Sequence, residues 1–329
     1  MNKMNKKVIA VITAIMLLAT CLTGCGGGGN ESADPARISF ASGGTSGTYY
    51  PIAGAISTLW TDKVEGLTVD VQSTGASAEN LNLINNGEAE VALVQNDVMY
   101  YAYTATESFA EVDKNESFLT LGTVYPEVVQ LVVAGDSGIE TLADLKGKAV
   151  SIGDVGSGVE SNAKQILAAA GIDVENDITK RNLGFGESAN GIKDKTLDAA
   201  FVTAGTPTTA VTELAATNDI KVLSLDQAVI DKLCADYGYY TAFTIPADVY
   251  GTAADANTVA VKATIVVKAD LSEELVYNMT KTLFENLDVV AEAHAKGKEM
   301  SLQGAIDGVS VPLHPGAAKY YVEQGLDVE

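Results

Sequence analysis

The residues whose types and spacing could do chemistry are Gly43-Gly-Thr-Ser-Gly-Thr-Tyr-Tyr50. They follow a β-rich run, Arg37 to Ala41, and precede a helical segment predicted over about Pro51 to Lys63. A glycine-rich turn at a helix N-terminus presents backbone N–H groups and the positive end of the helix dipole. Thr45, Ser46 and Thr48 surround Gly47 with hydroxyls, and Tyr49 belongs to the same loop. Such a loop is suited to a carboxylate or a phosphate. It has neither the Gly-Lys-Ser/Thr of a Walker loop nor the spacing of a dinucleotide fingerprint. Taken alone, it also reads as a plain turn capping a helix.

Other predicted strand ends carry similar loops. Ser73-Thr-Gly-Ala-Ser77 ends a strand at a helix start, and Gln95-Asn96 ends the next. Asp154-Val-Gly-Ser157-Gly158 and Thr203-Ala-Gly205-Thr-Pro207 follow later strands. Ligands of parallel α/β sheets bind at the carboxyl ends of the strands. Each loop alone fits ordinary capping; the joint pattern predicts a cleft.

The catalytic inventory is poor. His294 lies on a charged amphipathic stretch and is expected to be solvated, while His314 precedes Pro315 and is expected to serve a helix start. There is no Gly-x-Ser-x-Gly elbow, no His-rich metal motif and no credible carboxylate pair. No enzyme activity, metal or cofactor is expected. Arg37 and Arg181 are the only arginines, so backbone N–H groups, hydroxyls and amides must do most of the holding of an anion. The pairs Tyr100-Tyr101 and Tyr239-Tyr240 are expected to pack in the core or on the surface.

The elements that must position these loops alternate. Strands are predicted at Arg37 to Ala41, Leu67 to Ser73 and Glu90 to Gln95, with helices at Ser77 to Gly87 and from Asp97. Phe118 to Ala134 reads as two strands broken at Tyr125-Pro126. A second series follows: strands Ala149 to Ile152, Ala199 to Val202 and Ile220 to Leu225, and helices Val159 to Ala170, from Pro207 and from Asp226. A β-branched run, Thr258 to Ala269, precedes one long helix, Ser272 to about Lys296, and a last helix spans about Pro315 to Gln324. Such order predicts parallel α/β sheets. Two such sets with long strands at the crossings predict two lobes joined by two strands.

With 329 residues, the chain can form two domains of ordinary size. At 47% apolar and 19% charged, it is not a disordered sequence. Its net charge of −22 repels nucleic acid phosphates and anionic lipid headgroups.

Lys3, Lys6 and Lys7 followed by the apolar Val8 to Leu22 read as a leader too short for a comfortable bilayer span. It ends in Leu22-Thr-Gly-Cys25, which resembles a bacterial lipobox. Residues 1–24 are therefore expected to be a lipoprotein signal peptide, with Cys25 acylated and residues 25–36 a flexible tether. Two or three acyl chains anchor stably. The body would sit at the outer face of the cell membrane, in the periplasm if there is an outer membrane. Cys21 leaves with the leader, so Cys234 has no partner for a disulfide and is expected to be a small buried hydrophobe on a helix.

Ile38-Ser-Phe-Ala-Ser-Gly-Gly-Thr-Ser-Gly-Thr-Tyr-Tyr-Pro-Ile-Ala-Gly-Ala-Ile56 resembles the opening of TAXI-type solute receptors, the substrate-binding proteins of one class of tripartite ATP-independent periplasmic (TRAP) transporters. Ser73-Thr-Gly-Ala-Ser77 with Asn80, Glu88 to Asn96, Leu142 to Gly147, Gly156-Ser-Gly158 and Pro312 to Tyr321 extend the resemblance over about residues 38 to 325. It implies the type 2 periplasmic-binding-protein fold, with 37–134 plus 262–329 as lobe I and 135–261 as lobe II. It further implies a small carboxylate ligand, such as glutamate or a related dicarboxylate or keto acid, handed to a TRAP permease after hinge closure. The family's ligand-facing positions map to Thr45, Ser46, Gly47, Thr48 and Tyr49, and with them Ser77, Gln95, Ser157, Gly158, Thr203 and Gly205. An ABC-type receptor of the same fold, a ligand-sensing module and an extracytoplasmic enzyme are the alternatives.

Overall fold

The computed structural model describes residues 36–328. The expectations on the leader, on Cys25 and on the tether up to residue 35 lie outside the described residues. Three parallel strands open the fold: β1 (Arg37–Ala41), β2 (Thr68–Gln72) and β3 (Val91–Gln95), ordered β2-β1-β3. Each leads into a helix at its carboxyl end: α1 (Tyr49–Lys63), α2 (Ser77–Asn86) and α3 (Asn96–Thr104). Gly87, at φ 73°, ends α2 in the left-handed conformation that glycine adopts without a Cβ penalty.

A second parallel set mirrors the first. Here β5 (Ala149–Ser151), β6 (Thr179–Arg181) and β7 (Ala199–Ala204) are ordered β6-β5-β7. They feed α4 (Gly158–Ala169), α5 (Phe185–Lys193) and α6 (Thr209–Ala215). The strands β8 (Ile220–Leu223) and β9 (Thr241–Ile245) flank α7 (Gln227–Asp236).

Two long antiparallel strands join the sets, β4 (Phe118–Ala134) and β10 (Ala256–Lys268). Along β10, Ala263–Val267 pairs with β3 and Ala256–Ala260 with β9; along β4, Val128–Ala134 pairs with β7 and β8. The expected break at Tyr125-Pro126 is instead a bulge within one continuous strand. Pro126 stands opposite Lys262, and the register shifts between the Tyr125–Ala263 and Thr123–Thr264 pairs. Proline lacks the N–H of a regular ladder and is accommodated at such an irregularity.

Burial divides at the same place. Phe40, Ile52, Trp60, Leu121, Ile265 and Met279 share one core, and Leu131, Val150, Ile166, Phe201, Leu233 and Val259 another. Trp60 Nε1 donates to the Met279 carbonyl at 2.8 Å, so the indole is both packed and satisfied. Cys234 is half-buried on α7 and packs against the second core.

The single long helix expected over 272–296 is two helices, α8 (Glu273–Phe284) and α9 (Leu287–Ala293). Asn286, at φ −138°, interrupts them, and its amide donates to the Thr282 carbonyl at 2.8 Å, a local bond that competes with the helix ladder. Ser272 caps α8 by accepting from Leu275 N. The final helix is α10 (Pro315–Glu323), and His314 caps it by accepting from Gly316 N at 3.2 Å, the structural role expected of it. His294 is half-buried rather than fully solvated, and its Nδ1 accepts from Lys296 N.

Candidate functional site

The helix starts of both sets face one another across the middle of β4. Between them lies a cavity of about 300 Å³, at the small end of ligand pockets. The lobes touch around it. Thr48 Oγ1 donates to the Gly205 carbonyl at 3.3 Å, Ala210 N to the Ser46 carbonyl at 3.1 Å, and Ala78 N to the Gly156 carbonyl at 3.2 Å. A Cβ at Gly47 would rest on the Phe185 ring at 3.3 Å. The arrangement is closed.

Thr45, Ser46, Gly47, Thr48, Tyr49, Gln95, Ser157 and Thr203 all line the cavity. Ser77, Gly158 and Gly205 stand behind its wall. Ser77 Oγ accepts from Gln95 N at 3.1 Å, Gly158 packs against the Gln95 amide, and Gly205 receives Thr48. The lining hydroxyls are not equally free. Ser157 Oγ donates to the Asp154 carbonyl at 2.7 Å and accepts from Glu160 N at 3.1 Å, so it serves as the cap of α4. No side chain caps α1 or α2; at α1 Tyr49 and Tyr50 precede Pro51, which has no N–H, and at α2 Ala78 N is already spent on the Gly156 carbonyl. Thr203 Oγ1 is buried and has no partner.

Three carboxylates stand in the wall: Glu127 and Glu187, which the sequence reading missed, and Asp154, which it named only as the start of a strand-end loop. Glu127 sits in the middle of β4 opposite Val261, only 2% exposed. Burial pushes its carboxyl from 4.5 up to about 8; the hydrogen bond from Tyr49 OH, 2.6 Å long, acts the other way, and Asp97 adds to the rise. Asp154 is raised above its ordinary value, by burial first and then by Glu187 and Glu79. Among the described residues no lysine, arginine or histidine lines the cavity. Arg37 pairs with Asp70 on the surface, and Arg181 bonds the Lys180 carbonyl. Glu127 did leave a signal: it is the sole charge in the run Val124 to Ala134.

Beside the cavity a buried polar chain ties the lobes. Gln95 Nε2 donates to Asn162 Oδ1 at 2.8 Å, and Asn162 Nδ2 donates to Asp97 Oδ2 at 2.7 Å and to Tyr240 OH at 2.8 Å. Tyr240 OH donates to Gln165 Oε1 at 2.6 Å, and Gln165 Nε2 to Tyr101 OH at 2.8 Å. Burial raises the Asp97 carboxyl to about 6, partly offset by Asn162. Tyr101 and Tyr240 are thus core residues, as expected of the tyrosine pairs.

Residues 40–325 match the NMT1-like family, most of the chain. The chain belongs to the NMT1-like family. Three solved structures illustrate its likeness to known folds. The alkanesulfonate-binding protein SsuA from Xanthomonas axonopodis pv. citri, bound to MOPS, matches with a TM-score of 0.53 at 15% identity, over 89% of this chain and 85% of that one. PhnD1 from Prochlorococcus marinus, in complex with methylphosphonate, matches at 0.53 and 10% identity, over 89% and 97%. A putative L-cystine ABC transporter protein from Listeria monocytogenes matches at 0.51 and 16% identity, over 80% and 98%. The fold is therefore the expected α/β one, the two-lobed type 2 periplasmic-binding-protein fold. In this NMT1-like chain the cavity occupies the cleft between the lobes.

Proposed function

We propose that this chain is an extracytoplasmic solute-binding receptor, held at the cell membrane by a lipid on Cys25. It captures a small carboxylate by lobe closure and delivers it to a TRAP permease. The observation that carries this reading is the partly open cavity where the uncapped start of α1 and hydroxyls from both lobes converge. A ligand that touches both lobes stabilises the closed form, because only that form completes its contacts. The permease then reads the closed shape.

Thermal-shift titration of the purified chain against amino acids, dicarboxylates and keto acids tests the ligand class. At 100 times Kd a ligand adds about 2.7 kcal/mol of stability, a clear rise in the melting midpoint. If none of them moves the midpoint, the carboxylate class is wrong. Delivery to an ABC transporter is the second reading, favoured by structural neighbours named as components of phosphonate and L-cystine ABC transporters. Uptake reconstituted with the cognate permease should run on an ion gradient alone; a requirement for ATP would assign the ABC reading instead.

A further inference from the structure

We propose that a second cavity, at the far end of the polar chain from the cleft, takes an organic cation with an apolar or aromatic body, and that its occupant holds the lobes together. This goes beyond the receptor reading and does not depend on what the cleft binds. The cavity has a volume of about 810 Å³, within the range of small-molecule sites. Both lobes build it. Tyr100 and Tyr101 of α3, with Glu107 just after that helix, come from one lobe. Asp236, Tyr237 and Tyr239, at the end of α7 and beyond it, come from the other, and Lys262 of β10 completes the wall.

Aromatic rings set the character of the wall. Tyr237 and Tyr239 lie with centroids 5.6 Å apart and planes 31° from parallel, and Tyr101 meets Tyr239 edge-on at 5.6 Å. Tyr100 is exposed and lines the same cavity. Ring faces attract a cation and repel an anion. The charged groups agree. Asp236 accepts from Lys232 at 2.6 Å, and Asp307 stands 3.7 Å from Lys262. The Glu107 side chain has no hydrogen bond or ion pair among the described residues. It stands close to the rings: burial raises the phenols of Tyr237 and Tyr239, and Glu107 adds to the rise in each. One unpaired carboxylate beside several tyrosine rings suits a single ammonium on an apolar body. The polar chain joins this cavity to the cleft. Gln95 lines the cleft, and at the other end Gln165 Nε2 donates to Tyr101 OH, which bonds Tyr239 OH across the lobes. Parting the lobes separates Tyr101 from Tyr239 and takes the wall apart. An occupant that touches both sides therefore favours the closed arrangement.

Titration calorimetry on the purified chain tests this with three skeleton-matched probes: phenethylamine, 2-phenylethanol and 3-phenylpropanoate. Phenethylamine should bind tighter than either of the others by about 10-fold or more. Glu107→Gln should weaken its binding about 10-fold and Tyr100→Leu about 3-fold. Both side chains are exposed, so both variants should fold. Closure is read separately, by amide hydrogen exchange at Ala78 and Ala210, whose N–H groups bond the opposite lobe at the cleft. Saturating phenethylamine should slow exchange at both by about 3-fold or more, and the same concentration should slow it less in Glu107→Gln. No binding by phenethylamine, binding that survives Glu107→Gln undiminished, or 3-phenylpropanoate binding as tightly overturns the inference. So does Glu107-dependent binding that leaves exchange at Ala78 and Ala210 unchanged, since the occupant would then not hold the lobes. None of these outcomes bears on the cleft, which the amino acid, dicarboxylate and keto acid titrations test on their own.

Discussion

At the scale of single residues, Glu127 couples the site to proton binding. Its carboxyl holds a proton up to about pH 8 in the folded, unliganded chain, against an ordinary 4.5. Between those values the native state binds one more proton than the unfolded state, so the unfolding free energy falls as pH rises. Asp97 contributes with the same sign between 3.8 and about 6. The stabilisation is thus complete below about pH 4 and is lost progressively by about pH 8. Melting temperature without ligand should decline across pH 5 to 8, and Glu127→Gln should flatten the upper part of that decline. A parent profile identical to the variant's above pH 6 would show that Glu127 is already ionised in the empty cleft. The position was readable as odd, a lone acid in an apolar run, but not as part of a site. Its hydrogen-bond partner Tyr49 lies 78 positions away, and only the fold brings the two together.

At the scale of elements, the helix starts do the positioning, and α4 shows how tightly. A Cβ at Gly158 would overlap the side-chain amide of Gln95, which already bonds Asn162 across the lobes and Asp97 within its own. Relieving that overlap means breaking the polar chain or parting the lobes. Gly158→Ala should therefore lower ligand affinity about 10-fold while leaving the melting point without ligand within a degree or two, since an open form escapes the clash. Unchanged affinity in calorimetry would show that Gln95 can move aside at little cost. The same scale explains what the sequence hid. The helix α5 was missed because its stretch, FGESANGIK, carries two glycines and little apolar periodicity. Gly191 is required there because Leu197 packs where a Cβ would project. Yet α5 brings Phe185, Gly186 and Glu187 to the cavity. The opposite error, one helix read over 272–296, came from a pattern that continues across Asn286 although the backbone does not.

At the scale of the whole molecule, the largest core of each lobe is separate, and among the described residues β4 and β10 run through both lobes while the cleft contacts and the buried polar chain tie them, the construction expected of lobes that hinge. No helix among the described residues is long and apolar enough to cross a membrane, so the proposed attachment rests on Cys25. Cys25→Ser should move the protein from the membrane pellet to the soluble fraction of fractionated cells; retention in the pellet would remove the lipid anchor from the proposal. What the sequence determined by itself was local: β-branched runs, helix starts and glycine loops fix their own backbone through neighbours a few residues away. Those signals sufficed for two α/β sets, two joining strands and the loops at the strand ends. The tertiary structure alone decided which groups share the cavity and which hydroxyls remain free. Ser157 and Thr203 look alike in sequence, but one spends its hydroxyl on a cap and the other is left without a partner. The charge of the site was likewise hidden, because a carboxylate is repelled or satisfied by what surrounds it in space, and at Asp154 those surroundings come from both lobes, Glu187 from its own and Glu79 from the other.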